Sequence, residues 1–538
     1  MSALETADVV VVGSGFGGAI PAYHLAVGGA KVVVLERGPR LGAADLAKEP
    51  PATRWLKMVD IVVGDGMTVL AGNCVGGGSM HYFGVSLRAP TFAFQRVGGA
   101  GRPLWPRAIT RETLDPWYAR AERALPVTRL TWSDVSVHGG VFAGACAKAG
   151  RTCNPTPLAV DVERCVDCGW MFSGCAYSAK RSMMLNYLPA AEAHGAQVRD
   201  LHEVQTIAPA RTSGYRYRLE YRKLSALGYL PAGTGAIEAK VVVVAAGTVA
   251  TPVLLRRSAD LLGGVPEAVG RHFSGNGDHF MHFHMNQGRI AATLGLDLPG
   301  TDKPFDGFRI GKSITTMAID RLTAGRKEFD RGSFQDCYLP IVSNLLVGLP
   351  IPLVGTALFP RAEKHPAAVP SLLTTLGMAE DDNEGVFGAP PVAGAFTRVL
   401  PGLGLSGLRY RANANTRASL AASMREQRAI LERDGLGVAL PLGELTGPGV
   451  TAHPLSSCRV GDDPATSALD DRHELRGHPG IFVTDGSSVP GALCVNPSLT
   501  IAALAERATP HIVKRLAATA PVTYRGTLPG RSPAPARH

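Results

Sequence analysis

Three glycines in the spacing Gly13-x-Gly15-x-x-Gly18 stand near the start of the chain, and Glu36 follows about twenty residues later. This spacing suits phosphate binding. Gly13 permits a tight turn, Gly15 lets a pyrophosphate reach the backbone, and Gly18 lets a helix pack closely on a strand. Glu36 can take ribose hydroxyls. A second glycine-dense stretch, residues 72–79 (GNCVGGGS), reads either as a turn needing positive φ or as backbone laid against a ligand. His453, followed by Pro454, is a side chain suited to taking a proton near neutral pH. Asn496 is an amide that can hydrogen-bond a substrate oxygen while staying uncharged.

Other clusters invite metals. Cys165, Cys168 and Cys175 have C-x2-C-x6-C spacing, but three thiolates without a fourth make a poor zinc or iron–sulfur site. His272, His279, His282 and His284 lie close together, and Asp278 could add an oxygen ligand. Their spacing matches no recognised ligand framework. His473-Glu474 with His478 is one residue too long for H-E-x-x-H. No metal is expected.

The elements that position these residues follow from apolar runs. Residues 9–12 (VVVV) form a strand buried on both faces, followed by the glycine turn, a helix over 19–27 and a second strand over 31–35. Residues 241–246 (VVVVAA) and 481–484 repeat the buried-strand pattern, each leading to a turn. Helices are predicted over 249–258 and, after Pro497, over 498–507. Widely separated strands of one sheet imply a nucleotide domain interrupted by insertions. The expected fold is α/β: a Rossmann-type domain from residues 1–90, 160–280 and 445–520. A second, α+β domain with a mostly antiparallel sheet comes from 91–159 and 281–444.

Composition agrees with a globular protein. The chain has 538 residues, 45% hydrophobic and 19% charged, too long for one core and too apolar for disorder. The net charge is +10, but no basic run alternates with aromatics, so no nucleic-acid partner is expected. Residues 1–8 show no basic leader or cleavage site, and the nine cysteines then read as reduced, cytoplasmic thiols.

The motifs in series resemble the glucose–methanol–choline oxidoreductases: VVVGSGFGGAI at the start, GGGSM at 76–80, AAGTVATP at 245–252, HPLSSC at 453–458, TDGSSVPG from 484 and VNPSLTIAALAER ending at 507. CVDCGWMFSGCAYSAK from 165, with NYL and HGAQV after it, resembles more narrowly the bacterial cholesterol-oxidase-like branch. The resemblance implies FAD, held by Gly13, Ser14, Gly15, Phe16, Gly17, Gly18, Glu36 and Arg37. It adds Gly72, Val75, Gly76, Gly77, Gly78, Ser79 and His81 along the ring, then Val204, Ala246, Gly247, Asp485, Gly486, Asn496 and Pro497. Two roles are open to His81, covalent attachment to the flavin or mere contact with the ring or the fold. The resemblance also implies oxidation of an alcohol by hydride transfer to the flavin, with His453 and Asn496 catalytic. Asp336 is the candidate carboxylate for moving a steroid double bond afterwards. One departure is plain: Ser456-Ser457 stands where the family usually has two glycines.

The expected substrate is a hydroxysteroid or another bulky lipid alcohol, with oxygen or another oxidant as electron acceptor. The rivals are a long-chain or other alcohol, and a non-redox lyase that keeps FAD for structure. Residues 338–359 carry no charge, yet Pro340, Pro350 and Pro352 break any long helix. They read as substrate-domain core or as an apolar mouth in peripheral contact with a membrane. Residues 521–538, rich in proline and arginine, read as a tail.

Overall fold

The computed structural model describes residues 4–49, 51–98, 101–225, 230–294, 311–322, 327–338, 372–388, 396–400, 403–439 and 449–519. Beyond Tyr338, the charge-free stretch 338–359 lies outside these residues, as does the tail 521–538.

The valine runs do pair. Strand Glu5–Val12 lies between Val32–Leu35 and the long strand Pro231–Val244, parallel to both. Gln197–Arg199 extends this parallel layer at one edge, and Ile481–Val483 pairs with residues 242–244 at the other. The first half of Pro231–Val244 turns instead into an antiparallel meander with Tyr217–Leu224 and His202–Pro209, completing a seven-stranded sheet. Helices Phe16–Val27 and Ser498–Ala517 cover it, sealing a core in which Val9 to Val11 and Val241 to Val244 are fully buried. The second helix runs beyond the expected 498–507, through Pro510, to Ala517. Its apolar face, including Ile512 and Leu516, stays buried past the proline.

A second sheet of six strands is antiparallel throughout, in the order Gly437–Ala439, His279–Met285, Leu372–Ala379, Gly332–Cys337, Thr316–Ala318, Cys153–Pro155. Helices Val137–Lys148 and Ala414–Leu431 pack against one face. A third, mixed sheet joins Val59–Asp65 and Thr68–Gly72 to Val450–Thr451, so the chain arrives at His453 beside the 72–79 loop.

Candidate active site

One long cavity runs from the glycine turn to His453. Its nucleotide end is lined by Gly13, Ser14, Gly15, Phe16, Gly17, Glu36, Arg37 and Val204. Ala246, Gly247, Asp485 and Gly486 line the middle, and Gly72, Gly77, Gly78, His81, His453, Asn496 and Pro497 the far end.

The turn is tight for a stated reason. Gly13 has φ +94°, and a Cβ there would sit 2.2 Å from the Ala245 carbonyl oxygen. Glu36 accepts from Ser14 N–H at 3.0 Å, Ser14 Oγ at 2.7 Å and Gly38 N–H at 2.8 Å. Burial nevertheless pushes its carboxyl up. Four expected cofactor residues do not reach the cavity and instead brace it. Gly18 packs on the turn itself, where a Cβ would lie 2.0 Å from the Gly13 oxygen. Val75 is fully buried, and Gly76 N–H donates to Ser14 Oγ at 2.9 Å. Ser79 Oγ donates to Gly76 O at 2.6 Å and accepts from Met183 N–H at 2.9 Å. In this way the 72–79 loop is locked to the phosphate turn.

FAD fits the cavity on the chain's own geometry. Helix Phe16–Val27 begins at the cavity wall with a first turn free of acidic residues, offering backbone N–H donors to phosphate. Among the described residues, a Cβ on Gly247, at φ +89°, would meet no atom within 4 Å, and one on Gly15 only Gly77 Cα at 3.9 Å. His81 Nε2 is buried without a hydrogen-bond partner among the described residues, and burial pushes the imidazole down to about 3, so it is neutral.

At the far end, His453 Nε2 and Asn496 Nδ2 are 3.1 Å apart. His453 Nδ1 donates to Asp278 Oδ1 at 2.9 Å. Asn496 Oδ1 accepts from Gln335 Nε2 at 2.6 Å. The six-stranded sheet supplies the wall beyond them. Phe280 pairs with Leu376, Leu376 with Gln335, and Gln335 with Met317, so this row shares one face. Phe280 and Leu376 line the cavity, together with Phe83 and Val85.

Asp336 does not belong here, which corrects the expectation for it. Strand alternation turns it to the opposite face, where it is fully buried. It accepts from Thr315 N–H at 3.0 Å, Thr316 N–H at 2.6 Å, Thr315 Oγ1 at 3.1 Å and Thr316 Oγ1 at 2.9 Å. His138 Nδ1 lies 2.9 Å away. It is a structural clasp. Gln335, its neighbour, is the residue that sequence reasoning missed, and so is the contact of Asp278 with His453.

The other clusters lie outside this cavity. His279 bonds Gly277 O and Gln427, and His282 bonds Thr374 Oγ1. Cys165, Cys168 and Cys175 border a small separate cavity. Among the described residues no three His, Cys, Asp or Glu side chains converge as a metal site.

Known proteins share this plan. A cholesterol oxidase of Mycobacterium tuberculosis (strain CDC 1551 / Oshkosh) is 27% identical over 93% of this chain and 90% of its own length. A long-chain-alcohol oxidase of Arabidopsis thaliana is 27% identical over 95% of this chain and 67% of its own. Among solved structures, pyridoxine 4-oxidase from Mesorbium loti superposes with TM-score 0.63 at 18% identity, covering 95% of this chain and 99% of that one. The GMC oxidoreductase models match residues 8–275 and 406–505. The chain therefore belongs to the GMC oxidoreductase family and is an FAD-dependent oxidoreductase acting on alcohols.

Proposed function

We propose that the protein oxidises the secondary hydroxyl of a hydroxysteroid, or of a similarly bulky lipid alcohol, to a ketone. The observation that carries this reading is the 3.1 Å approach of His453 Nε2 to Asn496 Nδ2 beside the apolar side chains of Phe280, Leu376, Phe83 and Val85 that line the same cavity. A flat, bulky hydrocarbon buries its surface on such a wall, at roughly 25 cal/mol per Å² of apolar area removed from water. Its hydroxyl is then directed to the polar atoms at the edge. His453 Nε2 takes the hydroxyl proton, and Asn496 N–H donates to the oxygen and holds the developing negative charge. As the O–H pair becomes a carbonyl, the carbinol hydrogen leaves with its bonding electrons. Bound FAD supplies the acceptor for that hydride.

A double-bond shift after oxidation finds no support in Asp336, which faces away from the cavity. On the sheet face that Phe280 and Leu376 share, the same strand carries an amide, Gln335, which is no base.

An anaerobic panel of cholesterol, ketosteroid precursors and fatty alcohols tests the reading by bleaching of the flavin band. Sterols are expected to bleach it fastest. Bleaching by straight-chain alcohols alone would transfer the assignment to those substrates, and an unchanged spectrum throughout would overturn alcohol oxidation.

A further inference from the structure

Asp278 lies behind His453, 3% exposed, and does not line the cavity. Its two oxygens do different work. Oδ2 accepts from Thr451 Oγ1 at 2.9 Å and from Ala452 N–H at 3.1 Å, gripping the strand end that delivers His453. Oδ1 receives the imidazole Nδ1 at 2.9 Å. The carboxylate is itself held by its loop. Gly275 N–H and Ser274 Oγ donate to the buried Asp381 at 2.9 Å and 2.7 Å, which fixes the backbone just before Asp278.

An ionised carboxylate can only accept hydrogen bonds. Nδ1 of neutral His453 must therefore carry the hydrogen, and Nε2 is left as a lone pair. Asn496 Nδ2 faces that lone pair at 3.1 Å and must donate to it. Asn496 Oδ1 then accepts from Gln335 Nε2 at 2.6 Å. Gln335 Oε1 ends the series, buried without a partner among the described residues. Imidazole and both amides could each be turned end for end. Asp278 alone has no such freedom.

We propose that Asp278 is a positioning residue that sets the hydrogen-bond polarity of the whole Asp278–His453–Asn496–Gln335 series. It makes the imidazole meet substrate with Nε2 unprotonated and makes the Asn496 amide present N–H. The carboxylate also faces the positive charge that appears on His453 when Nε2 takes the proton. This rests on the reading of His453 as proton acceptor.

The first test needs no substrate. Holoenzyme labelled with nitrogen-15 histidine is examined at neutral pH, and the His453 signals are identified by their loss in His453→Gln. The wild type should show a pyrrole-type Nδ1 and a pyridine-type Nε2, and Asp278→Asn should mix or reverse them, since an amide can donate as well as accept. The opposite tautomer in the wild type, or an unchanged one in Asp278→Asn, would overturn the proposal.

The second test follows anaerobic flavin bleaching by cholesterol in micelles. Asp278→Asn should slow it about 10- to 100-fold, with half-saturation shifted less than about threefold. Flavin content and melting temperature should match the wild type. Formate should restore part of the rate in Asp278→Ala. If His453→Gln is inactive while Asp278→Asn keeps wild-type bleaching, only the role of Asp278 fails. If His453→Gln also bleaches at the wild-type rate, the catalytic reading of His453 fails with it.

Discussion

Gln335 and Asp336 are adjacent on one strand, and alternation sends their side chains to opposite sides of the six-stranded sheet. Gln335 supports the amide beside His453, whereas Asp336 clasps Thr315 and Thr316 under helix Val137–Lys148. Gln335→Leu removes the donor to Asn496 Oδ1, and rapid mixing should show flavin reduction slowed about tenfold, roughly the cost of one charge-free hydrogen bond that orients the amide. Asp336→Ala strands several buried donors, and denaturant unfolding should show a loss of about 3 kcal/mol with the rate per folded molecule unchanged. The sequence Phe334-Gln335-Asp336 marks this strand as close to the chemistry but carries no sign of which face is inward. That parity comes from pairing with Leu372–Ala379, some forty residues on. His453 and Asn496, in contrast, sit in long motif matches and were legible. Their link through Asp278 was not, because residues 278 and 453 meet only in the folded chain.

At the level of elements, a short antiparallel pair of Arg271–Ser274 with Leu455–Ser457 ties the loop of Asp278 to the segment of His453. The serines that replace the expected glycines keep glycine-like backbone, Ser456 at φ +64° and Ser457 at φ +81°. A side chain there costs about 1 kcal/mol. Ser457 recovers part of this by donating to Thr248 O at 3.0 Å, while Ser456 Oγ reaches Pro490 O only at 3.5 Å. Ser456→Gly should therefore raise stability by about 0.5–1 kcal/mol, and Ser457→Gly should leave it nearly unchanged, as read by thermal unfolding. The departure from the family's glycines was visible in the sequence. That the turn would keep its shape was not, because serine alone does not announce a positive φ. The phosphate turn was easier to read, since strand, glycines, helix and acid all pointed the same way. The bracing parts of Val75, Gly76 and Ser79 became visible only with their partners in place.

At the scale of the molecule, the apolar runs at 9–12, 241–244 and 481–483 identified one parallel layer from distant stretches, since apolar strands buried on both faces have few other places to go. The antiparallel sheet carries a different signature, because it buries polar groups. Burial pushes the His279 and His282 imidazoles down to about 4, below the ordinary value of 6.5. The unfolded chain therefore binds protons on them before the folded one does. Stability should be full above pH 6.5 and fall as pH drops from there toward 4, by about 3 kcal/mol for each imidazole. His282→Gln should flatten that slope in denaturant unfolding. The account as a whole places a proton-accepting His453 at the end of an FAD cavity. The most direct measurement mixes holoenzyme, without oxygen, with the best alcohol of the panel, carrying deuterium at the carbinol carbon. The wild-type flavin should bleach, more slowly with deuterium. His453→Ala should keep its flavin yet bleach about 10²- to 10⁴-fold more slowly. Wild-type bleaching rates in that variant would contradict the account.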